Sequence, residues 1–495
     1  MLVCGDCEKV VWIMPRRLLV LFVFLEIFLF GVSRETDIDF WWHLRTGEMI
    51  AQTGAVPRVD PFSFTAAGRP WVVHEWLWEL LAYALYSRGG YRLLALLSAT
   101  VVTVTYGIVY RLLRRLGANE LVSAVLTLWA AALALPDMGV RPREWTQLFF
   151  AVYLSQLLLY RVGCVRSLWM LPLIMVIWVN LHGAFVLGLA LFGIVAIGET
   201  WQGVRGGGGV PRQLWATFAA TAAATAVNPR GPLMLLYPFG YYFHGDNPSF
   251  QLVSEFQSPN FHDPLVALFL GGIVLLMLVG TWTQGRVIDA MLATVFLVLA
   301  LMSARQVSVW ALVCAPLLAQ RLSTRFAWAR SVRQVPVSTR RRVLDGAILG
   351  VLLIAAMGFV SRPPMSDKLQ AGPEPRAAAL PVAGAQFVVD HDLPGPVFND
   401  QAWGGYLIYR WYPSRRVFID GRIDMYGPDI VRDYVTVAAA KPGWRDVLER
   451  YAVRTVLVGH DSALSVLLGT DPQWRRVFQG EVEDLFVQAV ATPQG

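Results

Sequence analysis

The chain has 495 residues, of which 56% are hydrophobic and 16% charged, with a formal net charge of +7. Soluble domains carry about 25% charged residues, so this composition excludes an ordinary soluble enzyme, and the recurring apolar runs of bilayer length point to a polytopic membrane protein. The positive balance is almost wholly arginine (lysine occurs only at Lys9, Lys368 and Lys441) and belongs at a cytoplasmic face, not on a nucleic acid.

In chain order, Lys9, Arg16 and Arg17 precede a first apolar span at Leu18–Val32, which sets the N-terminus in the cytoplasm. No cleavage pattern follows, so the span is expected to remain as an anchor. Cys4 and Cys7 form a CGDC without a second pair to complete a zinc site. Next comes an external stretch, Arg34–Glu79. It gathers Asp37, Asp39, His43, Asp60, His74 and Glu75 among Phe40, Trp41, Trp42, Phe62, Phe64, Trp71, Trp76 and Trp78. The run His74–Tyr86 is apolar but short and rich in Trp. Read as a helix lying at the interface, it leaves Arg111, Arg114 and Arg115 inside.

Further spans are expected at about 93–112, 119–136, 145–161, 168–181, 184–200, 213–227, 264–281, 287–303, 306–320 and 343–360. Eleven spans then alternate so that the arginine-rich connections fall inside, including the dense set Arg321–Arg342. The polar connections 136–145, 180–185, 228–238, 254–263 and 303–306 all join the first loop outside. A Pro-rich linker covers 361–376. From Ala377 the chain reads as an extracytoplasmic α/β domain with a small, partly parallel sheet. Its expected strands are 396–399, 406–409, 416–420, 455–459, 475–479 and 485–489, and its expected helices are Ala378–Asp390, Asp429–Ala438, Trp444–Tyr451 and Ser462–Leu468.

The sharpest local signal is Asp37-Ile38-Asp39 at the exit of the first span. Two carboxylates so spaced can share a hard divalent ion, Mg or Mn, or one can act as a base beside the other. Charged groups at a membrane site are costly and favour a functional reading over a solvated turn. His74-Glu75 opens the interfacial helix, where Glu75 suits the helix dipole and His74 suits a phosphate or a sugar hydroxyl. Asp60, with Pro61 and Ser63, reads first as turn chemistry and second as a site residue. Arg141 and Arg143 lie at an external helix start, where the guanidinium fork suits phosphate; the plainer account is interfacial snorkelling. His182 sits in a tight NLHG hairpin, as a pocket-lining or a buried, satisfied histidine. Arg230, Glu255 and Arg305 are weaker cases on the same face, as is His262. The stretch 403–427, with Asp420, Arg422 and Asp424, reads as a structural turn before a substrate contact. No dinucleotide fingerprint, P-loop, HExxH or GxSxG string occurs, so no nucleotide cofactor is expected.

An N-in first span, a long acidic first external loop with an interfacial helix, many further spans and a terminal external α/β domain together resemble the GT-C class of membrane glycosyltransferases. The architecture is similar to that of protein O-mannosyltransferases, aminoarabinose transferases and oligosaccharyltransferase catalytic subunits. The strings DIDFWWHLRTG (37–47), DPFSFTAAGRPWVVHEWL (60–77), WVNLHGAF (178–185) and GGYLIY with VFIDGR (404–422) resemble a bacterial group of GT-C proteins. The resemblance implies inverting sugar transfer from a polyprenyl-phosphate carrier to an external glycan, lipid or protein acceptor at the cytoplasmic (inner) membrane. It carries the first-loop acid to Asp37 or Asp39, and the leaving lipid phosphate to Arg141, Arg143 or Arg305. The chain departs from the class in having no WWDYG-like string, which argues against oligosaccharyl transfer to asparagine. The alternative is a non-catalytic subunit that keeps the scaffold to bind a lipid or partner proteins.

Overall fold

The computed structural model describes residues 16–33, 38–207, 209–243, 254–282, 286–330 and 380–489. Asp37, the CGDC, the expected span 343–360 and the linker 361–376 lie outside the described residues. In chain order the helices of the first part are α1 (Arg16–Ser33), α2 (Phe40–Thr53), α3 (Trp76–Arg115), α4 (Glu120–Leu133), α5 (Arg143–Arg161), α6 (Met170–Leu181), α7 (Val186–Arg205), α8 (Arg212–Ala224), α9 (Tyr237–Phe243), α10 (Pro264–Leu278), α11 (Val287–Met302) and α12 (Val307–Arg325). Each of the ten expected spans that falls on described residues overlaps one of these helices. Among the described residues three helical stretches, Trp76–Arg115, Gly183–Arg205 and Ala304–Arg325, are long and apolar enough to cross a membrane, alongside five shorter apolar helices, Leu18–Val32, Glu120–Leu133, Met170–Leu181, Pro264–Leu278 and Val287–Met302. The protein is a mostly helical membrane protein.

Local sequence sets the helix ends. Asn119 and Asp263 accept backbone N–H bonds at the starts of α4 and α10, and Pro264 occupies the first turn of α10. Gly54, at φ 67°, closes α2. Helix α3 breaks at Gly90, where φ is 61° and ψ −165°. The Trp-rich piece from Trp76 is thereby separated from the piece that contains 93–112, at the boundary expected from the Trp content. The first piece packs on α2, and the closest approach is at Gly47: a Cβ there would sit 2.0 Å from the Glu79 carbonyl oxygen. Gly47→Ala is therefore expected to push α2 off α3 and cost about 1–3 kcal/mol, read as a lower thermal midpoint of the purified protein. An unchanged midpoint would contradict this packing.

The C-terminal part holds α13 (Val382–Asp390), β1 (Val397–Asn399), α14 (Gly404–Trp411), α15 (Ile423–Ala438), α16 (Trp444–Arg450), β2 (Thr455–Gly459), α17 (Ala463–Thr470), β3 (Trp474–Gln479) and β4 (Glu483–Gln488). The sheet order is β1-β2-β4-β3, with β1 parallel to β2 and the other pairs antiparallel. Two expected strands are corrected. Residues 406–409 are helical within α14, because a short apolar run does not distinguish a buried strand from a buried helix. The paired glycines let this helix close on its neighbours: a Cβ at Gly404 would meet the Ile419 carbonyl at 2.2 Å, and one at Gly405 the Ile38 carbonyl at 2.9 Å. Residues 416–420 form no strand of the sheet. Val417 instead bridges Ser63 of the first loop, exchanging hydrogen bonds with Phe62 and Phe64 (both 3.1 Å). The buried apolar core runs continuously from α1 through the first loop into the C-terminal sheet.

Candidate functional site

Asp39 ends the turn before α2. Trp42 Nε1–H, one turn on, donates to its Oδ1 at 3.1 Å. The opposite side is closed by Gly421, where a Cβ would sit 1.7 Å from Asp39 Oδ1. The half-buried carboxylate is thus held where the first loop meets the C-terminal part. Among the described residues no group of three or more His, Cys, Asp or Glu side chains is placed to hold a metal ion. The divalent-ion expectation rests on Asp39 together with Asp37, and no step below runs through a metal.

Four residues on from Asp39, His43 enters a buried cluster centred on Glu75. Glu75 and Glu79 lie one turn apart at the start of α3, so both carboxylates face the same neighbour. His43 Nδ1 meets Glu79 Oε1 at 3.1 Å and its Nε2 meets Glu75 Oε2 at 3.5 Å. Glu75 Oε1 receives two further imidazoles, His74 Nε2 at 3.5 Å and His182 Nε2 at 3.4 Å. Trp178 Nε1–H donates to Thr146 Oγ1 at 2.9 Å, so the Thr146 hydroxyl donates onward to His182 Nδ1 at 2.8 Å. Ala184 N–H also points at that nitrogen. Nδ1 of His182 therefore accepts, and its proton sits on Nε2 toward Glu75. His74 packs at a tilt on Tyr237 (centroids 4.9 Å apart), whose hydroxyl donates to Asp424 at 2.5 Å.

The charges follow from this geometry. Burial disfavours charged His74, but Glu75 outweighs it and raises its pKa to about 9. Burial alone would raise Glu75, yet the three imidazoles hold it well below the carboxylate range. His43 is raised against its burial by Glu79 and Glu75. His182, dominated by burial and facing Arg305 and Arg143, falls to about 3 and stays neutral. The summed contribution of His74, His182 and Glu75 to stability is expected to be greatest near pH 6.5. The His74 contribution is complete below its ordinary pKa of 6.5 and is lost as pH rises through about 9. The His182 contribution is complete above 6.5 and is lost as pH falls toward 3, as is that of Glu75 below its ordinary 4.5. Thermal midpoints across pH check this, and His74→Gln is expected to flatten the alkaline limb. An alkaline limb unchanged in that variant would contradict the assignment.

A second cluster adjoins His182. Arg143 and Asp137 are buried and pair at 2.9 Å, and Arg143 Nη2 donates to the Arg305 carbonyl. Glu255 lies between two guanidiniums, with Oε1 3.3 Å from Arg141 Nη1 and Oε2 3.5 Å from Arg305 Nε. Burial would raise Glu255, but Arg305 and Arg141 hold it low. Arg305 also lies 5.1 Å over the Phe256 ring.

The structure therefore gathers His43, His74, Glu75 and His182 into one cluster and Arg141, Arg143, Glu255 and Arg305 into a second, with Asp39 one helical turn before His43, whose charged form it favours. Arg230 is set apart in an exposed turn, its N–H on Asn228 Oδ1. His262 is also exposed. Asp60 is buried in the turn chemistry expected of it: it accepts from Phe62 N (3.1 Å) and Ser63 N (3.0 Å) and pairs with Arg422 at 2.8 Å. Sequence reasoning missed Glu79, whose signal was its i+4 spacing from Glu75, and Asp137, an acid in the same connection as Arg143 in a chain poor in charge.

No family model matches the chain, and no curated protein matches it. Among solved structures, the oligosaccharyltransferase AglB of Archaeoglobus fulgidus, in complex with an inhibitory peptide and a dolichol-phosphate, aligns with a TM-score of 0.58 at 12% identity, over 89% of this chain and 69% of that one. The apo oligosaccharyltransferase of the same organism aligns with a TM-score of 0.52 at 14% identity, over 92% of this chain and 70% of that one. ArnT of Cupriavidus metallidurans, bound to undecaprenyl phosphate, aligns at a TM-score of 0.47 and 13% identity over 97% of this chain and 99% of that one. The chain structurally resembles the GT-C membrane glycosyltransferases, and at these identities the likeness is one of fold.

Proposed function

We propose, with the GT-C fold as premise, that this chain is an integral glycosyltransferase of a bacterial inner membrane, moving a sugar from a polyprenyl-phosphate donor to an acceptor on the extracytoplasmic face. In a single inverting displacement, the Asp39 carboxylate takes the proton of the acceptor hydroxyl. The acceptor oxygen bonds to the anomeric carbon as the bond to the lipid phosphate breaks, and that phosphate leaves with the electron pair. Arg141 and Arg305 receive its charge in place of Glu255. The observation that carries this reading is the convergence of two guanidiniums on one carboxylate, at 3.3 and 3.5 Å, whose charge reaches His182 of the Glu75 cluster, the cluster that His43 enters one turn after Asp39.

AglB's action on its own substrates is not carried over, since the string associated with transfer to asparagine is absent here. The alternative, a non-catalytic scaffold subunit, draws on one observation: the two cavities described below are lined by residues other than Asp39. Transfer from a panel of radiolabelled polyprenyl-phosphate sugars by the protein in liposomes separates the readings. The Arg141→Ala/Arg305→Ala double variant is expected to lose about 10- to 100-fold in kcat/KM for the lipid donor, the range of charge-assisted hydrogen bonds. An unchanged value would contradict the phosphate assignment.

A further inference from the structure

Two cavities outside the clusters above share one residue. The first, about 300 Å³, lies where α2 and the start of α3 meet α14 and is lined by Arg45, Glu48, Tyr83, Tyr86, Tyr409 and Arg410, with Leu44. The second, about 520 Å³, is lined by Asp392, Arg410, Ser414, Arg415 and Arg416, with Phe64 and Trp411 among its apolar members. Both fall within the size range of ligand sites. Arg410 lines both, which sets them side by side along α14 as the two ends of a candidate groove. We propose that this groove binds an anionic saccharide chain, a run of sugar rings bearing carboxylate or phosphate groups.

Three features select that class. The charge is unbalanced, with Arg45, Arg410, Arg415 and Arg416 against Glu48 and Asp392. Asp392 is committed to Arg415 at 2.5 Å and Glu48 to Arg45 at 2.5 Å, and Arg416 stands exposed at the groove wall. Tyrosines line the narrower end, and packing orients them: Tyr86 lies edge-on to Phe40 with centroids 6.1 Å apart, and Tyr409 rests on Trp41 at 5.1 Å. Fixed aromatic rings with a polar handle give amphipathic contact area at low entropic cost. They suit the apolar faces of sugar rings, which a bare anion does not need. Arg45 spends Nη1 on Glu48 and Nη2 on the Tyr409 carbonyl, while its Nε, buried at the groove, has no hydrogen-bond partner among the described residues. With Nη1 and Nη2 both held, Arg45 is a fixed positive charge in the groove wall.

The inference deepens the transferase reading by giving its acceptor a chemical class, and it rests on that reading for the word acceptor alone. Binding tests it without transfer. The full chain in detergent is titrated with tetragalacturonate, maltotetraose and inorganic phosphate, by calorimetry. The uronate tetramer is expected to bind at least about ten-fold more tightly than either of the others, a difference of about 1.4 kcal/mol. Arg416→Glu, at an exposed position, and Tyr83→Ala are each expected to weaken it about ten-fold. Equal binding of the neutral tetramer, equal binding of phosphate, no uronate binding, or insensitivity to both groove variants would overturn the proposal. None of those results touches the donor side, which the Arg141 and Arg305 variants read separately.

Discussion

Arg422→Ala is expected to lower stability by about 3–5 kcal/mol, because it strands two buried carboxylates. Arg422 Nε and Nη2 reach Asp420 Oδ1 and Oδ2 at 2.8 and 2.6 Å, and Nη1 reaches Asp60 Oδ1 at 2.8 Å. The guanidinium is ringed by Trp71, Phe62 and Trp42, whose centroids lie 4.5, 5.0 and 5.9 Å away. Tyr426 donates to Asp420 at 2.5 Å, so the loss spreads into α15 just before Gly427, where φ is 72° and the helix breaks. Arg69, which donates to the Tyr426 carbonyl at 2.8 Å, would feel it next. The ion pair ties the first loop to the C-terminal part beside Gly421, which walls Asp39. The variant is therefore expected to show a lower thermal midpoint and faster proteolysis near 416–426. Arg422→Lys, which keeps the charge but not the fork, should fall between the two. A wild-type midpoint in Arg422→Ala would show that the joint is held by apolar packing alone.

That pair also marks the limit of what the sequence discloses. The membrane helices were legible because long apolar runs, arginine-rich connections and Trp-rich borders each carry a local signal. The separation of Trp76–Gly89 from the following span was legible for the same reason, and Gly90 supplies the break. Local turn chemistry was also readable at Asp60 and Ser63. What Asp60 holds was not readable, since Arg422 lies 362 positions away and nothing local couples them. The Glu75 cluster was half legible: His43, His74, Glu75 and His182 stood out as polar groups among apolar ones, but their meeting depends on α2, α3 and the hairpin before α7 closing together. The failure at 406–409 has a different cause. Four apolar residues fit a buried strand or a buried helix equally, and the paired glycines before them, which allow α14 to approach both Ile38 and Ile419, decide the outcome only in three dimensions.

Asp39→Asn has the largest expected effect on activity. Asn keeps the size of Asp and an oxygen for Trp42 Nε1–H, so the packing against Gly421 survives. It cannot take the acceptor proton, and a positioned general base is worth about 10²–10⁴ in rate. Glu75 cannot stand in for it, because three imidazoles already hold that carboxylate. The direct measurement is single-turnover sugar transfer from a polyprenyl-phosphate donor by wild-type and Asp39→Asn protein of equal thermal midpoint. The account predicts transfer by the wild type and a loss of about 100-fold or more in the variant, with donor binding retained. Transfer at the wild-type rate by Asp39→Asn would contradict it.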